Sequence, residues 1–318
     1  MFVISTVRDA PFVSDLKMEF DGQKASYIVI SLGIVGFTLN CNLAYAVKKS
    51  PSFGYAFGTL MFSQMIANIG NLLISVFFLA LLTLIQPEWH DTYWGRRSGQ
   101  LLVFFFYAST LTHFLAAVNR ALVINFPIKA SRFYNEPHVT KISLVVIWLL
   151  AFGMTAVYAF PVCSMSFDPT VFLLSYANSS CGYITEHYVD IGISMTVVSL
   201  IVVIDAISFC SLRRLHTVSP RRRSREIRFF TQACIQSGVL VLTTMCFFYL
   251  YALIDNPWYV FMMTIFVWEL AHCLDGLVVL LFNSEVRKIL RRIWIRSDAR
   301  VTVGPASIAF SNPSRHPS

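Results

Sequence analysis

Residues 54–85 read GYAFGTLMFSQMIANIGNLLISVFFLALLTLI, a run with no Asp, Glu, Lys or Arg. About 20 mostly apolar residues suffice for a helix to cross a bilayer, and a charge at the bilayer centre costs about 2.5–3.5 kcal/mol on insertion scales. The run is long enough to span and to tilt or project. Six similar runs lie near 27–47, 98–124, 141–161, 187–212, 229–254 and 257–282. The whole chain of 318 residues is 56% hydrophobic and 13% charged, whereas an ordinary soluble domain is about a quarter charged. A soluble protein of this composition would expose large apolar patches. The expected fold is an all-α integral membrane protein, a bundle of seven transmembrane helices.

The charges between the runs set the orientation. Lys48 and Lys49 follow the first run, and Lys129, Arg132 and Lys141 the third. Arg213, Arg214, Arg221, Arg222, Arg223 and Arg225 follow the fifth, and Arg287, Lys288, Arg291, Arg292, Arg296 and Arg300 the seventh. The alternate connections hold Glu88, Asp91, Asp168, Glu186, Asp190 and Asp255, with only Arg96 and Arg97 as cations. Cytoplasmic loops carry the Lys/Arg excess. Residues 1–26 are therefore an extracellular segment, 27–282 the membrane domain, 283–296 a cytoplasmic amphipathic helix and 297–318 a disordered tail. Residues 1–26 are broken by seven charges and lack the apolar stretch of a signal peptide. The amphipathic helix places Val286, Ile289, Leu290, Ile293 and Trp294 opposite Arg287, Lys288, Arg291 and Arg292, a pattern suited to the membrane surface.

Seven cysteines show no zinc spacing, and the sequence implies no metal and no cofactor. Cys163 and Cys181 are the only two in an outward-lying segment, so they are expected to pair in the oxidising exterior. Asn178-Ser179-Ser180 is the single sequon and falls in the same segment, making Asn178 a glycosylation candidate. Basic inner loops attract anionic lipid; nucleic acid is excluded as a partner because the cluster is tethered at the membrane.

Polar residues inside the runs are candidates for mechanism. Asn40, Asn42, Asn68, Asn71 and Asp275 lie near mid-membrane depth, where Asn serves as interhelical glue and Asp is costly unless buried against a partner. Asn40, Asn68 and Asp275 form the expected relay. Arg120 ends the third run beside Asn119; it is read as a switch, with Glu226 at the start of the sixth helix as its mate. His113 lies seven residues earlier, nearly on the same face. Glu269 and His272, three residues apart on the seventh helix, are possible ligand contacts.

With these residues in place, the chain resembles rhodopsin-like receptors, and more closely the nematode serpentine receptor class x family. The matching stretches are Ser52-Phe53-Gly54, Ser63-Gln64 and Asn68; Thr112-His113-Phe114 leading to Asn119-Arg120; Glu226, Phe229, Gln232 and Gln236; and Asn256-Pro257-Trp258, Trp268, His272, Asp275-Gly276 and Phe282-Asn283-Ser284-Glu285. The resemblance implies a chemosensory G-protein-coupled receptor at the plasma membrane. Its partners would be an extracellular small molecule or peptide and a heterotrimeric G protein. Departures from the rhodopsin-like pattern are Asn119 in place of an acid, the missing prolines of helices five to seven, with Gly238 and Gly276 as candidate bends, and no cysteine atop the third helix, which again favours the Cys163–Cys181 pair. The seventh helix has no Lys to form a retinal Schiff base, and the outer half of the third has no Asp for an aminergic pocket. A channel or transporter is the rival reading, with Asp205, Glu269 and Asp275 too few to line a path. No enzyme motif is present: no HExxH, no phosphate loop and no catalytic acid pair.

Overall fold

The structure is a computed structural model that describes residues 20–50, 54–126, 136–214 and 220–292. Seven long apolar helices run through it: α1 (Gly22–Lys49), α2 (Tyr55–Ile85), α3 (Tyr93–Asn125), α4 (Pro137–Ala159), α5 (Ser180–Arg213), α6 (Pro220–Phe248) and α7 (Pro257–Phe282). An eighth helix, α8, covers 284–292. The protein is a multi-pass membrane protein. Several stretches named from the sequence fall outside the described residues: 1–19 of the N-terminal segment, Ser52 and Phe53, Lys129 and Arg132, and 293–318, which holds the end of the amphipathic helix and the tail.

Helix starts follow capping chemistry, not the apolar edge. Asp21 accepts from Gln23 N and Lys24 N at 3.0 and 3.2 Å, and Thr92 Oγ1 accepts from Gly95 N at 3.1 Å. Ser179 Oγ accepts from Gly182 N at 2.9 Å. Asn256 caps α7 through Trp258 N and Tyr259 N, with Pro257 at the first helical position. Each side-chain oxygen satisfies amides that have no partner in the first turn. This is why α3 and α5 begin earlier than hydrophobicity alone suggests, and why Arg96, Arg97, Glu186 and Asp190, expected in loops, are helical.

No proline bends helices five to seven, yet three helices contain wide π-type turns: Ser75–Leu81 in α2, Thr185–Ile193 in α5 and Met262–Phe266 in α7. Such bulges shift the face a helix presents. The two glycines considered as bends differ in their surroundings. Gly238 has open space around its Cβ position; at Gly276 a Cβ would lie 3.0 Å from Asn40 Oδ1, so the glycine leaves room for that amide.

α2 and α3 are the most buried of the seven helices, and α4 is the least buried. Trp148 fixes α4 by donating to Ser63 Oγ at 2.9 Å. Between α4 and α5 lies an antiparallel hairpin, β1 (Met165–Asp168) with β2 (Leu173–Tyr176), in register Met165↔Tyr176. Phe172 in its turn has φ 52°, costly for a non-glycine residue. Its ring is fully buried, edge-on to Phe167 and Phe261 at 5.0 and 5.6 Å, and that packing holds the turn. A disulfide joins Cys163 and Cys181, Cα–Cα 4.9 Å, and ties the base of the hairpin to the start of α5.

The other end of the bundle carries a second core. Val286 and Leu290 of α8 are buried against Leu43, Val47, Met61 and Val279, with Arg287, Lys288, Arg291 and Arg292 exposed. The apolar face of α8 therefore covers the bundle itself. Asn283 Oδ1 caps it through Glu285 N and Val286 N, both 3.1 Å.

Candidate functional site

Three polar clusters and two cavities run along the bundle interior. Near the hairpin end, Asp190 of α5 is 4% exposed. It accepts the phenols of Tyr107 (α3), Tyr158 (α4) and Tyr176 (β2), the Tyr158 bond being 2.6 Å. Asp190 also lines a cavity of about 10 Å³ walled by Phe106, Met165, Phe247, Phe248 and Trp268.

Below it, Trp268 donates to Asn71 Oδ1 at 2.7 Å, and Asn71 donates to Leu102 O at 3.2 Å. Phe106 packs on the Trp268 ring at 4.5 Å and Phe247 at 4.9 Å. Trp268 and Phe106 also wall a lower cavity of about 30 Å³, whose other lining includes Asn68, Ser109, His113, Gln236, His272 and Asp275. That space admits about two waters.

The three relay residues expected from the sequence meet here. Asn68 Nδ2 donates to Asp275 Oδ2 at 2.7 Å and to Asn40 Oδ1 at 3.3 Å. Asn40 Nδ2 donates to Gly36 O and His272 O at 2.9 and 3.2 Å. Gln236 of α6 donates to Asp275 Oδ1 at 2.5 Å, and His113 Nε2 stands 3.5 Å from the same oxygen. His272 Nδ1 bonds Asn68 Oδ1 at 2.9 Å. The Asp275 carboxylate thus joins α2, α3 and α6 to α7, with α1 tied in through Asn40 and Asn68, and each donor replaces hydration lost on burial. Asn42, by contrast, bonds back to Thr38 O of its own helix.

Seven residues beyond His113, Arg120 pairs with Asp205 of α5 at 2.9 Å. Asp205 accepts Ser237 Oγ of α6 at 2.8 Å. The ion pair is largely buried, 12% and 8% exposed at the side chains. Asn119 Oδ1 and Arg120 Nε are buried and have no hydrogen-bond partner among the described residues. Glu226, the expected mate, lies on α6, but its side chain is outside the described residues. The residue that sequence reading missed is Asp205. An acid deep in an apolar run was its only signal, and nothing in the linear order ties it to Arg120, 85 positions away.

Glu269 sits apart from both cavities. It is 1% exposed, both carboxylate oxygens lack a hydrogen-bond partner among the described residues, and Oε1 would be 2.5 Å from a Cβ placed on Gly33 of α1. His272, its neighbour in sequence, lines the lower cavity. Asn178 is exposed beside the hairpin. Among the described residues no group of three or more His, Cys, Asp or Glu side chains could hold a metal.

The fold is that of squid rhodopsin, with a TM-score of 0.72 at 14% identity, covering 93% of this chain and 97% of that one. Two Caenorhabditis elegans proteins are similar in sequence. Serpentine receptor class X 45 is 24% identical over 292 residues, 84% of this chain and 80% of that protein. Serpentine receptor class X-43 is 28% identical over 273 residues, 81% of this chain and 82% of that protein. The model of the serpentine-type seven-transmembrane GPCR chemoreceptor family Srx matches residues 30–283, most of the chain and all of its polar clusters, and the protein belongs to that family.

Proposed function

We propose that this protein is a plasma-membrane chemosensory receptor. Its N-terminus and hairpin face outside, and it signals to a heterotrimeric G protein through rearrangement of α3, α6 and α7. The observation that carries the reading is the Arg120–Asp205–Ser237 bridge. It ties α3, α5 and α6 together at the end of the bundle where the basic residues collect. Breaking one bond of this bridge frees α6 to move and exposes the Arg120 guanidinium to an acidic partner surface.

The path from ligand to bridge runs down the interior. Trp268 and Phe106 wall both cavities, so displacing either ring repacks the surroundings of His272, Gln236 and Asp275. Glu269 and His272 remain candidate ligand contacts, His272 from the lower cavity and Glu269 from its carboxylate buried against α1. The ligand acts by binding one arrangement better than the other, and shifts the population by that difference alone. Glu226 is a second restraint on α6, 11 positions before Ser237 and about 16 Å along the helix. The basic loops engage anionic lipid, and Asn178 carries a glycan.

The test is a G-protein activation assay in cells, with surface expression scored by an N-terminal tag on intact cells. Arg120→Ala is expected to abolish coupling at equal surface expression. Asp205→Asn is expected to raise ligand-free signal several-fold, because it releases Arg120 while keeping the shape. Normal signalling by Arg120→Ala, or a tag reachable only after permeabilisation, would overturn the reading.

A further inference from the structure

Asp190 is a buried carboxylate with no ion pair among the described residues. Among the described residues no Lys, Arg or His lies within 4.0 Å of it in an ion pair. Arg97, which meets the same Tyr158 at its backbone, gives Nη1 to Tyr158 O at 2.7 Å and to Gln100 Oε1 at 2.9 Å. Three phenols converge on the carboxylate from three separate elements, two on Oδ1 and one on Oδ2. They supply hydrogen bonds but no charge, so an ionised carboxylate here would lack charge compensation from the described residues inside the membrane domain, where such compensation matters most.

The walls match a cation. Phe106, Phe247, Phe248 and Trp268 line the same cavity as the carboxylate, and aromatic faces attract ammonium groups most strongly when water is excluded. An ammonium also brings N–H donors that form charge-assisted bonds about twice as strong as neutral ones, and can take the place of the phenol donors on Asp190. We propose that Asp190 is the anionic anchor of an outer binding site for a small organic primary ammonium, with the aromatic cavity walls holding its carbon skeleton.

The closed cavity of about 10 Å³ has room for one water, so the ligand must open it. The donors it displaces are the ones that join the hairpin, α3 and α4 to α5. Opening therefore loosens the seam between these elements and presses on Trp268, which also faces the lower cavity. This deepens the receptor reading and rests on it for the consequence of binding, though not for binding itself.

The experiment is thermal unfolding of the purified full-length protein in detergent at neutral pH, with benzylammonium or the neutral benzyl alcohol as probe. Benzylammonium is expected to raise the midpoint with half-saturation near about 1 mM, as suits so small a ligand. Benzyl alcohol is expected to leave it unchanged. Asp190→Asn removes the charge and keeps the shape, and should abolish the shift. Tyr158→Phe removes one competing donor and should lower the half-saturating concentration several-fold. Should Asp190→Asn fail to fold, the contrast of the two probes on the native protein and the Tyr158→Phe shift still decide. Equal shifts with both probes, no shift at about 10 mM, or a shift retained in Asp190→Asn would overturn the proposal. Normal G-protein signalling by Arg120→Ala would instead strike the receptor reading, so the two failures are distinguishable.

Discussion

Asp275 and Arg120 are both charged residues in apolar helices, and their surroundings explain how each is tolerated. Asp275 is accommodated by amides, with Asn68 and Gln236 each giving it a hydrogen bond at 2.7 and 2.5 Å. Replacing Asn68 with Leu strips a donor from Asp275 and leaves His272 and Gln64 facing a methyl group. Leaving buried polar groups unsatisfied costs about 1–3 kcal/mol each, so Asn68→Leu should lower the stability of the solubilised protein by on the order of 2 kcal/mol, read as a fall in unfolding midpoint. Asn68→Asp puts a second carboxylate beside the first and should be worse. At the hairpin end His90 offers a different reading. It is buried, with Nε2 3.0 Å from Thr83 Oγ1 and its ring edge-on to Phe167. Burial pushes its imidazole below the ordinary value, against a smaller upward pull from Asp91. The folded protein thus holds His90 neutral while the unfolded chain takes a proton as pH falls below about 6.5. Stability is present above that pH and drains away as pH falls through it toward the lowered value. His90→Phe should flatten that loss between about pH 7.5 and 5.5, measured by thermal unfolding; an unchanged slope would place the acid sensitivity elsewhere.

At the scale of elements, glycines decide how closely helices approach. A Cβ on Gly36 of α1 would lie 2.2 Å from Cys273 Sγ of α7, and one on Gly70 of α2 would meet the Phe105 ring at 2.3 Å. Side chains of that kind can turn aside. Gly182 cannot be relieved in this way: a Cβ there would lie 1.9 Å from the Ala177 carbonyl oxygen, a backbone atom fixed by the hairpin. Gly182→Ala should therefore displace the start of α5 and cut surface expression severely, whereas Gly238→Ala, in open space, should be silent or slightly stabilising through helix propensity. The disulfide acts on the same junction. Closing a loop with a sequence separation of 18 restricts the unfolded chain by about 3 kcal/mol. Cys163→Ser with Cys181→Ser should lower the unfolding midpoint accordingly and loosen the hairpin toward protease.

For the molecule as a whole, the polar clusters form a column through an apolar bundle: Asp190 under the hairpin, Asp275 at mid-depth and Arg120–Asp205 at the basic end. Each joins at least three elements, so the clusters connect helices that hydrophobic packing alone leaves free to slide in lipid. Two residues are proposed to restrain α6: Asp205, whose bond to Ser237 is in place, and Glu226. Asp205→Asn and Glu226→Gln compared in ligand-free signalling assign the restraint. A rise only with Asp205→Asn puts the lock on α5, and a rise only with Glu226→Gln puts it on the start of α6.

Seven charge-free or nearly charge-free runs allow no other way to satisfy backbone groups in lipid than seven helices, so the fold class was legible from residues 54–85 outward. Asn40, Asn68 and Asp275 were legible as a group because polar side chains at like depth in an apolar medium have only one another to bond. Cys163 and Cys181 were legible for a similar reason, being alone outside the runs. The partners of single residues were not. Arg120 finds Asp205 and Asp190 finds three tyrosines through the rotation and tilt of whole helices, set by the packing of α3 against α4 and α5. The π-turns in α2, α5 and α7 change which face points inward without any proline to announce them. Hydrophobicity along the chain fixes which residues leave water; only the packed bundle fixes which of them meet, because contacts between residues 85 or 207 positions apart depend on helix geometry that no local pattern encodes.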